Sequence, residues 1–252
     1  MAVTIKSERE IELMRESGRI LSIVLKELTE FVRPGISTQD IDLRCRDIIR
    51  DFGCIPSFLN YEGYPAAVCV SVNDQVVHGI PSPKIILKDG DIVSLDCGVI
   101  YQGYHSDAAR TVFVGEVAPE VQRLVEITKQ SFFEGIKFAK PGNRIGDISG
   151  AIQDFCEGNG YSVVRELVGH GVGRELHEDP QVPNFRTPMR GMRLQKGMTI
   201  AVEPMINMGK KEVCFLGDGW TVITADGKPS AHYENTILIT DDEPEILTIE
   251  RK

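Results

Sequence analysis

Apolar positions recur at helical intervals through the first fifty residues of the chain. Residues 7–10 read Ser-Glu-Arg-Glu, a capping-box pattern that predicts the start of a long helix. Apolar side chains then return every three or four residues as far as Phe31, and Pro34-Gly35 ends the helix. A second helix is predicted over residues 38–52. From about Ala66 onward, runs of β-branched residues separated by turn residues predict strands instead.

The same pattern occurs twice in the chain. The sequence around Pro34-Gly35 returns around Pro141-Gly142, and an Asp-Ile pair follows each copy at the same distance, so the offset is 107 residues. One proline-glycine pair after a helix is common and can match by chance. The same offset, however, relates Asp96 to Glu203, and both stand in apolar, strand-like runs. We therefore predict a duplicated α+β unit, roughly residues 7–115 and 118–240. Because no linker separates the halves, one domain over residues 1–252 is expected.

Two acids lie in neighbouring strands of the first half. Asp96 stands in the apolar run 92–99, Asp107 opens the next strand, and residues 101–104 predict a tight turn. A loop at Gln102-Gly103 would place the two acids diagonally, whereas a loop one residue earlier would place them face to face. Both registers put the carboxylates on one face, about 5–8 Å apart at Cβ. Two like charges that close repel each other unless a cation lies between them.

Two more acids stand in apolar strands of the second half. A single aspartate in a strand usually points to solvent, but Glu203 in the run 199–206 and Glu234 in the run 232–239 repeat the pattern. Unpaired buried carboxylates are strongly disfavoured, so four such cases indicate a shared cation site. His170, flanked by glycines, is the natural nitrogen ligand. Four carboxylates would neutralise two divalent cations.

The donor set limits the metal without identifying it. Oxygen-rich ligation with one imidazole suits Mn, Fe, Co or Zn. Bridging carboxylates would hold two ions roughly 3.5–4 Å apart, and a water shared between them would supply a hydroxide nucleophile for hydrolysis.

Composition excludes several classes of protein. The 252 residues carry 28 lysines and arginines against 37 aspartates and glutamates, a net charge of −9, which argues against a protein that coats nucleic acid. The polar residues 1–10 lack the apolar core of a signal peptide, and no apolar stretch reaches the roughly 18 residues of a membrane span. The six cysteines include no C-x-x-C pair and are expected to be buried or pocket thiols rather than disulfides. A cytoplasmic location is expected.

Several motifs resemble the type I methionine aminopeptidase family over essentially the whole chain. They are residues 72–81 (VNDQVVHGIP), residues 169–180 (GHGVGRELHEDP), the hairpin with two aspartates and the two glutamate strands. The resemblance implies the α+β pita-bread (creatinase/aminopeptidase) fold, with two pseudo-symmetric halves around a curved antiparallel sheet. It implies a dinuclear centre in which Asp107 and Glu234 bridge two divalent metal ions (Co, Mn, Fe or Zn). The implied ligands are Asp96, Asp107, His170, Glu203 and Glu234.

Related families with the same five ligands fit this chain less well. Proline-specific aminopeptidases and prolidases usually carry a large extra N-terminal domain, for which this chain has no room. Type II methionine aminopeptidases carry an inserted helical subdomain before the last two acids. Only 26 residues separate His177 from Glu203 and only 31 separate Glu203 from Glu234, so the short bacterial-like form matches.

The resemblance also implies an activity, the metal-dependent removal of the initiator methionine from nascent proteins whose second residue is small. His177, with the metals, would stabilise the oxyanion, and His78 would hydrogen-bond the scissile amide nitrogen or the leaving amine. Glu203 would bind metal and also carry a proton from water to the leaving amine. His105 and His232 are expected to be structural.

The resemblance and the chemistry of thioethers predict an aromatic and sulfur-containing methionine pocket. Leu176 and Phe58 depart from residues common at their positions in the family, which bears on the shape of this pocket. Asn73, Gln75 and Ser230 resemble the positions that bind a monovalent cation in this family, which implies Na or K held mostly by backbone oxygens. The predicted pocket residues are Phe58, Tyr61, Tyr64, Cys69 and Trp220.

The expected partners are N-terminal peptides of nascent proteins and, transiently, the ribosome. A monomer is expected, without membrane binding or direct recognition of nucleic acid. Two alternatives stay open at this point. One is an inactive relative of the same fold that binds ribosomes or RNA, although such relatives lose metal ligands and the charge is unfavourable. The other is an aminopeptidase of the same fold with proline specificity.

Overall fold

The helices repeat with the spacing that the sequence predicts. The computed structural model describes residues 3–250, and within them the chain forms four α-helices. Both bounds of the fourth helix lie 107 residues after those of the second. The helices are α1 (Glu8–Phe31), α2 (Thr38–Asp51), α3 (Pro119–Ile136) and α4 (Ile145–Gly158).

The strands form antiparallel ladders throughout residues 3–250. The strands are β1 (Ile55–Pro56), β2 (Val68–Val72), β3 (Gln75–Val77), β4 (Ile92–Tyr101), β5 (Tyr104–Phe113), β6 (Ser162–Val163), β7 (Gly169–Gly171), β8 (Glu178–Val182), β9 (Thr199–Val202), β10 (Met205–Asn207), β11 (Val213–Phe215), β12 (Val222–Thr224), β13 (Ser230–His232), β14 (Asn235–Leu238) and β15 (Glu245–Ile246). The order β1-β4-β2, with β5 on β4, makes up the sheet of the first half, and the order β15-β14-β9-β7-β8 makes up the larger sheet of the second half. The predicted α+β class is therefore confirmed.

The repeat extends to individual hydrogen bonds. The backbone N–H of Gly35 donates to the carbonyl of Leu87 at 2.8 Å, and that of Gly142 donates to the carbonyl of Leu194 at 3.2 Å. Both glycines have a φ of +90°, which a residue with a side chain rarely adopts. The two halves therefore use the same turn to lead from one helix into the next. The assignment of residues 1–252 to one domain stays a prediction, and its ends at 1–2 and 251–252 lie outside the described residues.

The β4–β5 hairpin of the first half decides between the two predicted registers. Gln102-Gly103 form its two-residue loop, with φ values of 47° and 82°, as a type I′ turn requires. Asp96 pairs with Ala109, so Asp96 and Asp107 lie diagonally on one face. The alternative with a loop one residue earlier is wrong.

The corresponding segments of the second half are interrupted. The predicted strand over 199–206 breaks between β9 and β10, and the partner segment breaks between β13 and β14. The register nevertheless continues across the break, because Val202 pairs with Asn235 and Met205 pairs with His232. Glu203 and Glu234 therefore occupy facing positions within this break.

Each half has its own hydrophobic core beneath its helices. Leu21 and Ile41 of α1 and α2 pack with Leu95 of β4 in one buried cluster. Phe132 and Ile148 of α3 and α4 occupy the other, together with strands of the second half. The helices thus cover one side of each half, and the acids lie on the other side.

The remaining expectations concern the membrane and the thiols. None of the helices within residues 3–250 is long and apolar enough to cross a membrane. The six cysteines, all within the described residues, are free thiols, and the expectation that they are buried or line a pocket is wrong for Cys214, which lies exposed in β11. The free thiols are Cys45, Cys69, Cys97 and Cys156, all buried, Cys54, half-buried, and Cys214.

Candidate metal centre and substrate cavity

The two halves meet where the predicted ligands stand. Ala109 of β5 and Glu234 exchange backbone hydrogen bonds of 3.3 and 3.0 Å. The N–H of Asp107 donates to the hydroxyl of Thr236 at 2.9 Å, and the same hydroxyl donates back to the carbonyl of Asp107 at 2.9 Å. This seam fixes Asp107 from the first half beside Glu234 from the second.

The structure brings all five predicted metal ligands together. His170 lies in β7, with its Nε2 atom 3.7 Å from Oδ2 of Asp107 and 3.6 Å from Oε1 of Glu203. Asp107, His170 and Glu234 each offer an atom within 4.8 Å of the others. Asp96 belongs to a second group that also contains Glu234, so Glu234 is common to both. Their roles as ligands stay predictions, but their convergence is a feature of the fold.

The buried carboxylates of this cluster favour the binding of cations. Burial raises the pKa of Asp96 to about 7. Burial first, and then the neighbouring carboxylates, raise the pKa values of Asp107, Glu203 and Glu234. One oxygen each of Asp96, Asp107 and Glu234 is buried without a hydrogen-bond partner among residues 3–250. Divalent ions would satisfy these oxygens and remove the repulsion, so the donor set fits a pair of such ions.

The hydrogen bonding and the neutral charge of His170 suit it to act as a nitrogen ligand. Its Nδ1 atom lies 2.8 Å from the carbonyl oxygen of Gly171, to which it donates when the proton is on Nδ1. The lone pair of Nε2 then faces the carboxylates, an arrangement typical of metal-binding histidines. Burial, followed by the nearby His177, lowers the pKa of His170 to about 3, so the imidazole is neutral at neutral pH.

Two further predicted histidines flank the carboxylates. The ring of His177 stands perpendicular to that of His170 with centroids 4.3 Å apart, and its Nδ1 lies 2.9 Å from the hydroxyl of Tyr61. His78 has a φ of 59°, an uncommon conformation that places its ring edge-on to Trp220 at 6.3 Å. Burial lowers the pKa values of both imidazoles, that of His78 to about 4, so both are neutral donors at neutral pH.

A single cavity of about 460 Å³ connects the carboxylates, both flanking histidines and the predicted methionine pocket. Tyr64 and Trp220 meet edge to face at 5.1 Å, and burial raises the pKa of the Cys69 thiol, which keeps it uncharged. Leu176, which departs from the family pattern, packs in the same apolar cluster. The predicted pocket residues that line the cavity are Phe58, Tyr61, Tyr64, Cys69 and Trp220.

The predicted monovalent-cation residues lie on neighbouring elements. The N–H of Ser230 donates to the carbonyl of Asn73 at 2.9 Å. The side-chain oxygen of Gln75 accepts from the N–H of Val72 at 2.9 Å. The structure thus brings Asn73 and Ser230 together, and the cation itself stays a prediction.

One histidine without a predicted functional role lies beside the predicted ligands. His232, expected to be structural, has its Nε2 atom 4.0 Å from Glu203 and 3.8 Å from Glu234. His105, given the same expectation, has its Nδ1 atom 3.0 Å from the hydroxyl of Ser57. His232 stands two residues before Glu234, and alternate residues of an extended segment share a face, but His105 has the same spacing to Asp107, so no local signal distinguishes the two histidines.

Comparison with known proteins agrees with this arrangement. The methionine aminopeptidase of Clostridium perfringens is 55% identical over 98% of this chain and 99% of the relative. The methionine aminopeptidase structure from Thermotoga maritima superposes with a TM-score of 0.96 at 46% identity, covering 99% of this chain and 100% of the other. The prolidase from Pyrococcus furiosus superposes with a TM-score of 0.79 at 23% identity, covering 98% of this chain and 66% of the other, and this likeness shows the fold alone.

These findings confirm two predictions, the resemblance to methionine aminopeptidases and the pita-bread fold with its two pseudo-symmetric halves. The profile of metallopeptidase family M24 matches residues 12–241, which include every predicted metal ligand. A match over this much of the chain establishes that the protein belongs to metallopeptidase family M24.

Proposed function

We propose that this protein removes the N-terminal methionine from nascent proteins whose second residue is small. One observation carries the proposal: four acids and a histidine converge in the lining of a cavity that is also lined by aromatic rings and a thiol. The methionine aminopeptidases of Clostridium perfringens and Escherichia coli, 55% and 44% identical to this chain, support the same activity.

Asp96, Asp107, His170, Glu203 and Glu234 are the residues that would hold two divalent ions, with Asp107 and Glu234 shared between them. Such ions supply Lewis-acid activation of water and of the scissile carbonyl. The donor set is compatible with Co, Mn, Fe or Zn. The unpartnered oxygens of Asp96, Asp107 and Glu234 support this assignment.

The cavity walls would select the methionine side chain. Phe58, Tyr64 and Cys69 are buried and form one apolar cluster with the partly exposed Tyr61 and Trp220. A flexible thioether packs favourably against aromatic rings and sulfur. Insertion of the side chain here would bring the scissile bond near the carboxylates, which line the same cavity.

His177 and His78 would bind the reacting peptide group. When the Tyr61 hydroxyl donates to Nδ1 of His177, the proton of the neutral ring lies on Nε2, which can donate to the carbonyl oxygen as negative charge develops there. His78 would donate to, or accept from, the scissile nitrogen. The positive φ of His78 is the kind of local strain that occurs at functional sites and supports this role.

Glu203 would carry the proton. Burial and the charges of Asp107 and Asp96 raise its pKa, which favours the uptake of a proton by this carboxyl. Its position is the break between β9 and β10, and its side chain lines the cavity.

The decisive experiment measures the cleavage of Met-Ala-Ser, Met-Leu-Ser and an Xaa-Pro peptide by metal-loaded protein, with and without a strong chelator. We expect cleavage of Met-Ala-Ser alone, loss of activity with chelator, and a drop of about 10²–10⁴-fold in kcat for Glu203→Gln. Glu116→Gln, an exposed acid outside the cavity, is the matched control. Activity that survives chelation would contradict the metal mechanism, and preference for the Xaa-Pro peptide would indicate proline specificity.

The proposed setting follows from the proposed substrate. Nascent proteins present their N-termini at the ribosome, so we propose a cytoplasmic monomer that associates with ribosomes transiently. We also propose that Asn73, Gln75 and Ser230 bind Na or K. The backbone bond between Ser230 and Asn73 brings two of these residues into one place, which supports such a site.

A further inference from the structure

His232 is a buried imidazole that belongs to none of the five predicted ligand positions. Its residue is 1% exposed, at the end of β13. The Thr111 hydroxyl of β5 bonds both backbone groups of His232, accepting from the N–H at 2.9 Å and donating to the carbonyl at 2.8 Å. Strands from both halves therefore hold His232 at the seam that carries the metal centre.

Both ring nitrogens of His232 lack a hydrogen-bond partner among residues 3–250. A buried polar atom without a partner is disfavoured, so a group that binds a ring nitrogen would stabilise His232. Nε2 lies 3.8 Å from Oε2 of Glu234 and 4.0 Å from Oε2 of Glu203, which is too long for hydrogen bonds. Two ligand atoms that bind the same ion at about 2.0–2.2 Å, in contrast, lie up to about 4.2 Å apart.

The position of His232 parallels that of His170. Nε2 of His170 faces Oε1 of Glu203 at 3.6 Å, while Nε2 of His232 faces Oε2 of the same residue at 4.0 Å. His170 forms one group with Asp107 and Glu234, and His232 forms another with Asp96 and Glu234. In each group the potential ligand atoms lie within 4.8 Å of one another.

We propose that His232 is a second nitrogen ligand of the centre and binds the ion on the Asp96 side through Nε2. The inference rests on the proposed metal-dependent function and adds a sixth ligand to its site. Each ion would then have one imidazole, whereas the ion beside Asp96 would otherwise have only oxygen donors from the protein. An added imidazole favours Zn, Co or Fe over Mg or Ca at that position.

X-ray absorption spectroscopy of the wild-type protein, loaded with two Zn²⁺ per chain, tests the ligand count directly. We expect an average of one imidazole per ion, and half that value in His232→Gln. A wild-type average of one half would overturn the proposal, because His170 alone would then supply nitrogen. The wild-type spectrum decides the question even where the variant folds poorly.

Titration calorimetry with Zn²⁺ provides the second measurement. His232→Gln should weaken one of two binding steps at least about tenfold, as loss of even an outer partner of a metal site commonly does. His105→Gln, a change in a buried histidine hydrogen-bonded to Ser57, is the matched control and should leave both steps unchanged. Equal affinities in wild type and His232→Gln would contradict the proposal.

These outcomes are separable from failure of the proposed function. Two imidazole ligands in a protein that does not cleave Met-Ala-Ser would leave the inference intact and overturn the methionine activity. Cleavage of Met-Ala-Ser with a single imidazole ligand would overturn the inference alone.

Discussion

The two halves of the molecule build similar frameworks but present their acids differently. In the first half, Asp96 and Asp107 stand inside the continuous ten-residue strands β4 and β5 and lie diagonally across a regular ladder. In the second half, Glu203 and Glu234 face each other where both paired segments are interrupted. A duplicated fold thus keeps its helices and turns while its sheets diverge at the site of chemistry.

The chemistry of the residues at the break explains the difference. Pro204 has no N–H and cannot donate to a ladder, so the strand containing Glu203 ends there. The register resumes beyond it without a shift, because Tyr233 donates its N–H to the carbonyl of Pro204 at 3.2 Å. The second half places the longer glutamate side chains in its irregular stretch, whereas the first half uses shorter aspartates in a regular one.

The largest expected effect comes from the proposed bridging pair, which takes one acid from each half. We expect Asp107→Asn and Glu234→Gln each to lower kcat/KM by on the order of a thousandfold, since metal activation supplies several kcal/mol. Both variants should also lose Zn²⁺ affinity in calorimetry. Asp51→Asn, at the exposed end of α2, is the control. If only one variant lost metal, the halves would not share the ions.

The sequence predicted the helices and the first hairpin better than the region where the two halves meet. The 107-residue offset predicted the position of α4. In the hairpin that contains Asp96, only the choice between two loops was left open. Both the helix and the hairpin can be predicted because they depend on patterns of neighbouring residues. The break at Glu203 had a local signal in Pro204, but the run 199–206 was still predicted as one strand.

The side chains that meet where the two halves pack together are distant in sequence, so no local pattern predicts their contacts. His232 was expected to be structural because it opens a predicted strand, and its neighbours Thr111 and Glu203 are distant in sequence. The convergence of the acids could be inferred only from their shared need for a cation. Which atoms face one another required the packing of the two halves.

The next effect tests whether the halves unfold together, as the predicted single domain requires. Leu21 and Phe132 are fully buried, one in each core cluster. Leu21→Ala should lower the free energy of unfolding by about 2–5 kcal/mol, and Phe132→Ala by about 3–5 kcal/mol. In denaturant unfolding of the metal-free protein, followed by circular dichroism and by Trp220 fluorescence, each variant should shift one common transition. Two transitions, each moved by one variant only, would contradict the single domain.

The smallest effect concerns the equivalent starts of α2 and α4. Before α2, the Ser37 hydroxyl accepts from the N–H of Asp40 at 3.1 Å, and the Asp40 carboxylate accepts from the N–H of Ser37 at 2.8 Å. Before α4, Asp147 accepts from the N–H of Arg144 in the same way, but Arg144 has no hydroxyl. Ser37→Ala should therefore lower the free energy of unfolding by about 0.5–2 kcal/mol.

A serine at position 144 would supply the capping hydroxyl that α4 lacks, and comparison with alanine at the same position isolates the contribution of that hydroxyl to the free energy of unfolding. Arg144→Ser and Arg144→Ala both remove the hydrogen bond from the guanidinium to the carbonyl of Gly191. Only Arg144→Ser provides a hydroxyl that can accept from the N–H of Asp147. The serine variant should therefore unfold at higher denaturant concentration than the alanine variant, by an amount equivalent to about 0.5–2 kcal/mol. Equal stability of the two would mean that the second half starts its helix by a route that the first half does not share.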